Sequence, residues 1–160
     1  MKGKKGSLYT TRKGLFSITS QNVDTDIVLL FIRIACGYAF ILTGWGKIQH
    51  PMNWMGQGSS VPSILQALAA ISEFCGGIAL ILGFLTRIGA FGIGCTMIGA
   101  IVMVRFVMGL PYVNMTGGIS YVIAVVYLLI MLLFLVVGPG RFSLDYLLFK
   151  DRNEHLKTNY

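Results

Sequence analysis

Three ionisable side chains lie within long apolar stretches of the chain: Arg33, Glu73 and Arg105. A charge at the centre of a bilayer costs roughly 2.5–3.5 kcal/mol, so charged residues within membrane spans usually face protein and mark ligand or proton pathways. A carboxylate such as Glu73 can accept a proton or a hydrogen bond, and an arginine can neutralise it. These residues are therefore the first candidates for ligand binding or ion pairing.

The surroundings of Arg33 and Glu73 predict that the two side chains form an ion pair. Small residues flank both charges at helical spacing, which allows two helices to approach closely: Ala69, Ala70, Gly76 and Gly77 beside Glu73, and Cys36 and Gly37 beside Arg33. At a rise of about 1.5 Å per residue, Arg33 lies near 10 Å and Glu73 near 16 Å from the same side of the bilayer. Two interpretations stay open: a structural ion pair, and a carboxylate that handles a ligand or proton.

A second group of polar and aromatic residues falls at the opposite ends of the apolar stretches. Its members are suited to the headgroup region of a membrane: Trp45, Lys47, Arg105, Tyr112, Asn114 and Tyr121. With Glu73 below them, these residues would line a cavity that opens outward. The alternative is an aromatic belt with a snorkelling lysine and arginine.

The sequence lacks the motifs of thiol redox chemistry and of metal binding. Cys36, Cys75 and Cys95 are isolated, with no C-x-x-C pair, and buried cysteine usually acts as a small apolar residue. His50 and His155 have no carboxylate or cysteine at ligand spacing. We therefore expect no metal site and no self-contained catalytic constellation, which leaves any enzymatic role to a partner.

The elements that must position these residues are membrane-spanning helices. The 160-residue chain is 55% hydrophobic and 12% charged, with a mean hydropathy of +0.74. Soluble domains carry about 25% charged residues. Apolar stretches cover residues 27–48, 64–85, 88–109 and 119–137, and each is close to the roughly 20 residues that a spanning helix needs. The sequence predicts an all-α fold, a polytopic four-helix membrane bundle.

The remaining residues divide into two tails around a membrane domain. We predict a basic N-terminal tail over 1–25, the four-span domain over 26–138, and a tail over 139–160. In the last of these, Ser143 would cap a short amphipathic helix carrying Leu144, Leu147 and Leu148. The first span is predicted to be an uncleaved anchor.

The net charge of +7 concentrates at the two ends of the chain. Positive flanks mark the cytoplasmic side of a membrane protein, so both termini are predicted to be cytoplasmic. The basic tails are then topology signals that also touch anionic lipid headgroups. This placement favours the lipid bilayer as partner and argues against nucleic acid.

Five sequence elements in order resemble the DoxX family of small four-helix membrane proteins. They span about residues 25 to 148 and read as follows: LLFIRIACGYAF around Arg33, GWGK, E-x-x-G-G-x-x-L-x-x-G-x-x-T-R from Glu73 to Arg87, N-x-x-G-G from Asn114, and G-P-G-R-x-S-L-D from Gly138 to Asp145. The chain departs from the family pattern at Thr43 and Arg105, where relatives often carry histidine, and at Ser120, where they often carry glutamate. A proton relay through those three positions is therefore not expected here.

The resemblance implies a four-helix bundle in the bacterial inner membrane. Family members are associated with quinone-linked oxidation of reduced sulfur compounds, with complexes that counter oxidative stress, and with quinone or catechol resistance. It therefore implies a redox-associated subunit with a bound quinone and no covalent cofactor. Two alternatives stay open: a non-enzymatic scaffold or chaperone that packs against another membrane protein or a second copy, and a small-molecule or proton transporter.

Overall fold

The computed structural model describes residues 23–56 and 58–148, and this part of the chain is helical, with no strand. Its helices are α1 (Val23–Ile48), α2 (Ser63–Leu82), α3 (Thr86–Val102) and α4 (Val122–Val137). α3 continues into a π-helical segment, Met103–Val107. A further short helix covers 144–148. The all-α prediction is confirmed, while residues 1–22 of the tail predicted over 1–25 and residues 149–160 of the tail predicted over 139–160 lie outside the described residues.

Three of the helical segments are long and apolar enough to cross a membrane: Val23–Ile48, Ser63–Leu82 and Thr86–Val107. The fourth, α4, has 16 residues, about 24 Å at the helical rise. Large apolar side chains stay exposed along the bundle, including Phe31, Phe91 and Phe106. Such a surface suits lipid, so the chain is an integral membrane protein.

The ends of the helices differ from the predicted spans by a few residues. α1 begins at Val23, before the expected start at residue 27, so Asp26 lies in its first turn. α4 begins at Val122, after the expected start at residue 119, and the Val122 N–H donates to the carbonyl of Tyr112 at 3.1 Å. Apolar composition predicts where a helix can lie in lipid, but backbone hydrogen bonds at its ends decide where it begins.

A tight turn joins α2 to α3. Gly83 has φ 67°, and the N–H groups of Gly83 and Phe84 donate to the carbonyls of Leu80 and Ala79, which is a left-handed helix cap that favours glycine. A Cβ at Gly83 would also collide with the Arg33 guanidinium. Glycine is therefore needed here for its backbone angle and for the space it leaves.

Small residues let neighbouring helices approach closely, as the sequence predicted. A Cβ at Gly37 of α1 would lie 2.7 Å from the carbonyl oxygen of Gly77 on α2. On the other side of α2, a Cβ at Gly76 would lie 2.9 Å from the Ile93 side chain of α3. The two glycines that follow Glu73 by three and four positions thus face different partners, so α2 packs between α1 and α3.

The apolar core lies where the four helices converge. Leu80, Ile93, Met131 and Phe134 have no exposed surface and come from α2, α3 and α4. α1 joins α4 through Phe40, whose ring centre lies 4.8 Å from that of Tyr127. This contact closes the bundle, and it leaves polar clusters near its two ends.

Candidate functional site

The first polar cluster is an ion pair between Glu73 of α2 and Lys47 in the last turn of α1. Lys47 Nζ lies 2.6 Å from each Glu73 carboxylate oxygen, and the Thr43 hydroxyl donates to the same carboxylate at 3.3 Å. The Glu73 side chain is 4% exposed and that of Lys47 is 24% exposed. The carboxylate is therefore buried and compensated, whereas the side chain of its lysine partner is partly exposed.

Close helix packing makes this ion pair possible. Gly44 lies one turn from Lys47 on α1, and a Cβ there would be 2.7 Å from the Phe74 backbone nitrogen. The α2 backbone therefore approaches α1 directly beside Glu73. A larger residue at position 44 would separate the helices and lengthen the Lys47–Glu73 contact.

The loop after α1 folds over the ion pair. Lys47 Nζ lies 4.6 Å from the centre of the Trp54 ring, within the range of a cation–π contact. Trp54 Nε1–H donates to the Gln66 carbonyl at 2.9 Å. The Gln66 side chain accepts from the Met55 N–H at 3.2 Å and donates to the Val61 carbonyl at 2.9 Å. Gln66 thus holds the loop in place over Lys47.

Trp45 completes the aromatic surroundings of the pair. Its ring centre lies 5.8 Å from that of Phe74, the residue after Glu73, and it is 57% exposed. The cluster therefore combines a hydrogen-bond donor, a carboxylate acceptor and exposed aromatic surface. A flat ligand with carbonyl or hydroxyl groups could use all three features.

Arg33 lies apart from this pair, and the predicted Arg33–Glu73 ion pair is wrong. Arg33 is 1% exposed and donates to four backbone carbonyls: Leu80 at 2.9 Å, Ile81 at 3.2 Å, Pro139 at 2.6 Å and Phe142 at 3.1 Å. It therefore joins α1 to the end of α2 and to the turn after α4.

Arg33 does not pair with Glu73 because its guanidinium meets α2 at a different level from the Glu73 carboxylate. The Arg33 Nε–H meets the carbonyl of Leu80, and Leu80 is seven positions beyond Glu73 (80 − 73 = 7). That separation is about 10 Å along a helix, whereas Lys47 lies level with Glu73. Lys47, for which a snorkelling position at the membrane edge was one of two interpretations, turns inward to the carboxylate.

Two buried carboxylates near Arg33 were missed as site residues. Asp26 is 1% exposed; its Oδ1 accepts the Arg141 N–H at 3.3 Å, and its Oδ2 lies 3.4 Å from Arg141 Nε. Asp145 accepts the N–H groups of Leu85 at 2.8 Å and Thr86 at 3.1 Å, which caps α3. Asp26 lies just before the predicted start of the first span at residue 27, yet it is buried within α1.

A sequence signal for this second cluster exists in the G-P-G-R-x-S-L-D stretch from Gly138 to Asp145. Its Ser143 Oγ accepts the Tyr146 N–H at 3.1 Å, so the predicted Ser143 cap is confirmed. Pro139 supplies a carbonyl to Arg33. The stretch fastens the segment after α4 to the ends of α1, α2 and α3.

The other predicted site residues do not join the Glu73 cluster. Arg105 is exposed in the π-helical segment. Asn114 Oδ1 accepts from the N–H and hydroxyl of Thr116 at 3.0 and 2.6 Å, and the Tyr121 ring centre lies 5.3 Å from that of Tyr112. Within the described part of the chain, no hydrogen bond or ion pair links Arg105, Asn114 or Tyr121 to Glu73.

The chain is similar in sequence to a known protein family and to two bacterial proteins. The family model described as DoxX matches residues 28–106, which include Arg33, Lys47 and Glu73. The chain is 35% identical over 139 residues to the inner membrane protein YqjF of Escherichia coli, covering 78% of this chain and 95% of that protein. It is 33% identical over 127 residues to an uncharacterized protein of Haemophilus influenzae, covering 76% of this chain and 91% of the relative. No solved structure matches the chain.

Proposed function

The chain belongs to the DoxX family and is a bacterial inner-membrane protein, and from that premise we propose that it is a quinone-associated accessory subunit. The observation that supports this role is the Glu73–Lys47 ion pair, whose lysine side chain is 24% exposed and whose ammonium lies over the Trp54 ring. Lys47 donates a hydrogen bond to a quinone carbonyl oxygen in this proposal. The tryptophan rings contact the face of the quinone ring.

The chemistry assigned to each residue follows from the two redox states of a quinone. Reduction takes up two electrons and two protons and converts both carbonyls to hydroxyls. Lys47 favours the oxidised form because it donates to a carbonyl, and Glu73 favours the reduced form because its carboxylate accepts from a hydroxyl. The electrons come from the cofactor of a partner oxidoreductase, so this chain binds and positions the quinone.

The proposed orientation puts the two clusters on opposite sides of the membrane. Arg87 and Arg141 lie at the same end of the bundle as both termini of the described chain, and the positive-inside rule makes this end cytoplasmic. The Glu73–Lys47 pair then lies toward the periplasmic face. A quinone there would exchange protons with the periplasmic side.

Quinone copurification tests the proposal. The protein is purified in a mild detergent and its extracted quinone is quantified by liquid chromatography and mass spectrometry. We expect stoichiometric quinone in the unmodified protein and about a tenfold decrease in Glu73→Gln, because a hydrogen bond to a charged group contributes about 1.5–3 kcal/mol. Asp24→Asn is the matched control, since it removes an exposed carboxylate at the other end of α1. Absence of quinone from the unmodified protein, or equal amounts in all three, contradicts the proposal.

A second candidate function, a scaffold for another membrane protein, is favoured by one face of α3. Phe91 and Ile98 are exposed about two turns apart, and a Cβ at Gly99 would meet no atom within 4 Å. This face offers a small residue beside large apolar ones, which suits a second helix. Loss of a copurifying protein in Gly99→Leu, with the protein retained in Glu73→Gln, would favour the scaffold.

A further inference from the structure

A groove opens at the end of the bundle that carries Arg33, away from the Glu73–Lys47 pair. Its volume is about 320 Å³, and it lies between the first half of α1, the end of α2 and the short helix over 144–148. Leu30, Leu82, Phe142 and Leu147 supply its apolar walls. Leu82 is 50% exposed and Leu147 is 66% exposed. The groove is therefore mainly apolar and open to the outside of the bundle.

The charged residues of the groove are all cationic. Its lining contains Arg33 and Arg141 and no acidic residue. Arg33 is held by backbone carbonyls, and no carboxylate within the described residues lies within ion-pair distance of it. The nearby Asp145 carboxylate is engaged by the N–H groups that begin α3. The positive charge of Arg33 is thus buried at the base of the groove, held by carbonyls and attracted by the nearby Asp145 carboxylate.

Arg141 presents a second cation at the rim. Its side chain is 38% exposed and lies 3.4 Å from Asp26 through Nε. A guanidinium keeps its positive charge beside a carboxylate and spreads it over a planar fork, so the exposed part of Arg141 can also face an anion outside the bundle. An anion at Arg141 would also lie on the same side as the Arg33 charge.

We propose that the groove binds an anionic phospholipid from the surrounding bilayer. The phosphodiester contacts Arg141, and one acyl chain lies along Leu30, Leu82 and Leu147. Three observations support this occupant: the apolar walls suit an acyl chain, the cationic lining attracts negative charge, and the groove lies at the end of the bundle where α2 ends and the segment after α4 returns. A bound lipid would hold the short C-terminal helix against the bundle.

Native mass spectrometry tests the proposal with lipids that differ only in headgroup. The full-length protein is delipidated in detergent and titrated with phosphatidylglycerol or phosphatidylcholine of identical acyl chains. We expect a retained one-to-one adduct with phosphatidylglycerol and much weaker binding of phosphatidylcholine. Arg141→Gln should weaken phosphatidylglycerol binding about fivefold, the effect of about one interfacial cation. Arg105→Gln, which removes an exposed charge outside the groove, should leave binding unchanged.

A second pair of variants tests the groove without removing the partner of Asp26. Leu147→Trp fills the groove, whereas Leu148→Trp adds the same side chain to an exposed neighbour that does not line it. We expect loss of the phosphatidylglycerol adduct in Leu147→Trp and retention in Leu148→Trp. Equal binding of the two lipids by the unmodified protein, or equal effects of the two tryptophan variants, would overturn the proposal.

Discussion

Replacing Arg33 by leucine should destabilise the bundle substantially. Arg33 is 1% exposed and forms hydrogen bonds to four carbonyls that belong to the end of α2 and the turn after α4. Leucine has no N–H groups to offer, so these carbonyls lose the Arg33 donor, and among them that of Leu80 keeps the Gly83 N–H. The variant should therefore loosen the junction of α1 with α2 and with the segment after α4.

The loss of unfolding free energy in Arg33→Leu follows from the number of carbonyls that stay buried without a donor. Two of the four bonds, those to Leu80 and Pro139, are buried, and the other two are partly buried. The Leu80 carbonyl keeps the Gly83 N–H as a donor, so the main loss is at the buried Pro139 carbonyl, and a buried acceptor left without a partner costs about 1–3 kcal/mol. Arg33→Lys should lose about half as much, because a lysine ammonium keeps the charge but lacks the planar fork.

The free energy of unfolding in mixed micelles, measured by titration with sodium dodecyl sulfate, checks this prediction. Arg105→Leu is the matched control, because Arg105 is exposed and surface substitutions usually change stability by less than about 0.5 kcal/mol. If Arg33→Leu costs no more than the control, the carbonyl cluster does not hold the fold together.

Three further stability predictions use the same measurement. Lys47→Met should cost about 3–5 kcal/mol because it leaves the Glu73 carboxylate buried without a partner, and adding Glu73→Gln should recover part of that loss; a double variant worse than the single one would contradict the ion pair. Gly77→Ala should cost about 1–3 kcal/mol, since its Cβ would lie 2.8 Å from a backbone carbonyl oxygen of α1. Gly99→Ala, where a Cβ meets nothing within 4 Å, should be neutral or stabilising, and equal losses at the two glycines would refute the packing argument. Asp145→Ala should cost about 0.5–2 kcal/mol through loss of the α3 cap, and an unchanged unfolding free energy would show that other groups cap α3.

The helices were predictable from the sequence because each is decided by local composition. Long apolar stretches in a membrane can satisfy their backbone hydrogen bonds only as helices. The bounds of these stretches therefore match α1 to α4 to within a few residues. The small residues around Glu73 likewise predicted close helix contacts, which Gly37 and Gly77 make. Both conclusions depend on residues near each other in the chain.

The partners of the charged residues were not predictable in the same way. Whether Glu73 meets Arg33 or Lys47 depends on how far α2 is shifted along α1, and a shift of two turns exchanges one partner for the other. The contacts of the segment after α4 with Arg33 were equally unpredictable, because this segment supplies backbone carbonyls from positions 139 and 142. Backbone carbonyls carry no side-chain signal in the sequence. The roles of Asp26 and Asp145 depend on the same contacts between distant segments.

The most direct test of the proposed function is photolabelling with an azidoquinone in membranes, followed by mapping of the labelled peptides. If quinone binds at the Glu73–Lys47 pair, label should concentrate near Trp45, Lys47 and Trp54. It should decrease about tenfold in Glu73→Gln, the same loss of affinity expected in copurification. Label spread evenly over the lipid-facing helices, or label at these residues that is unchanged in Glu73→Gln, would contradict it.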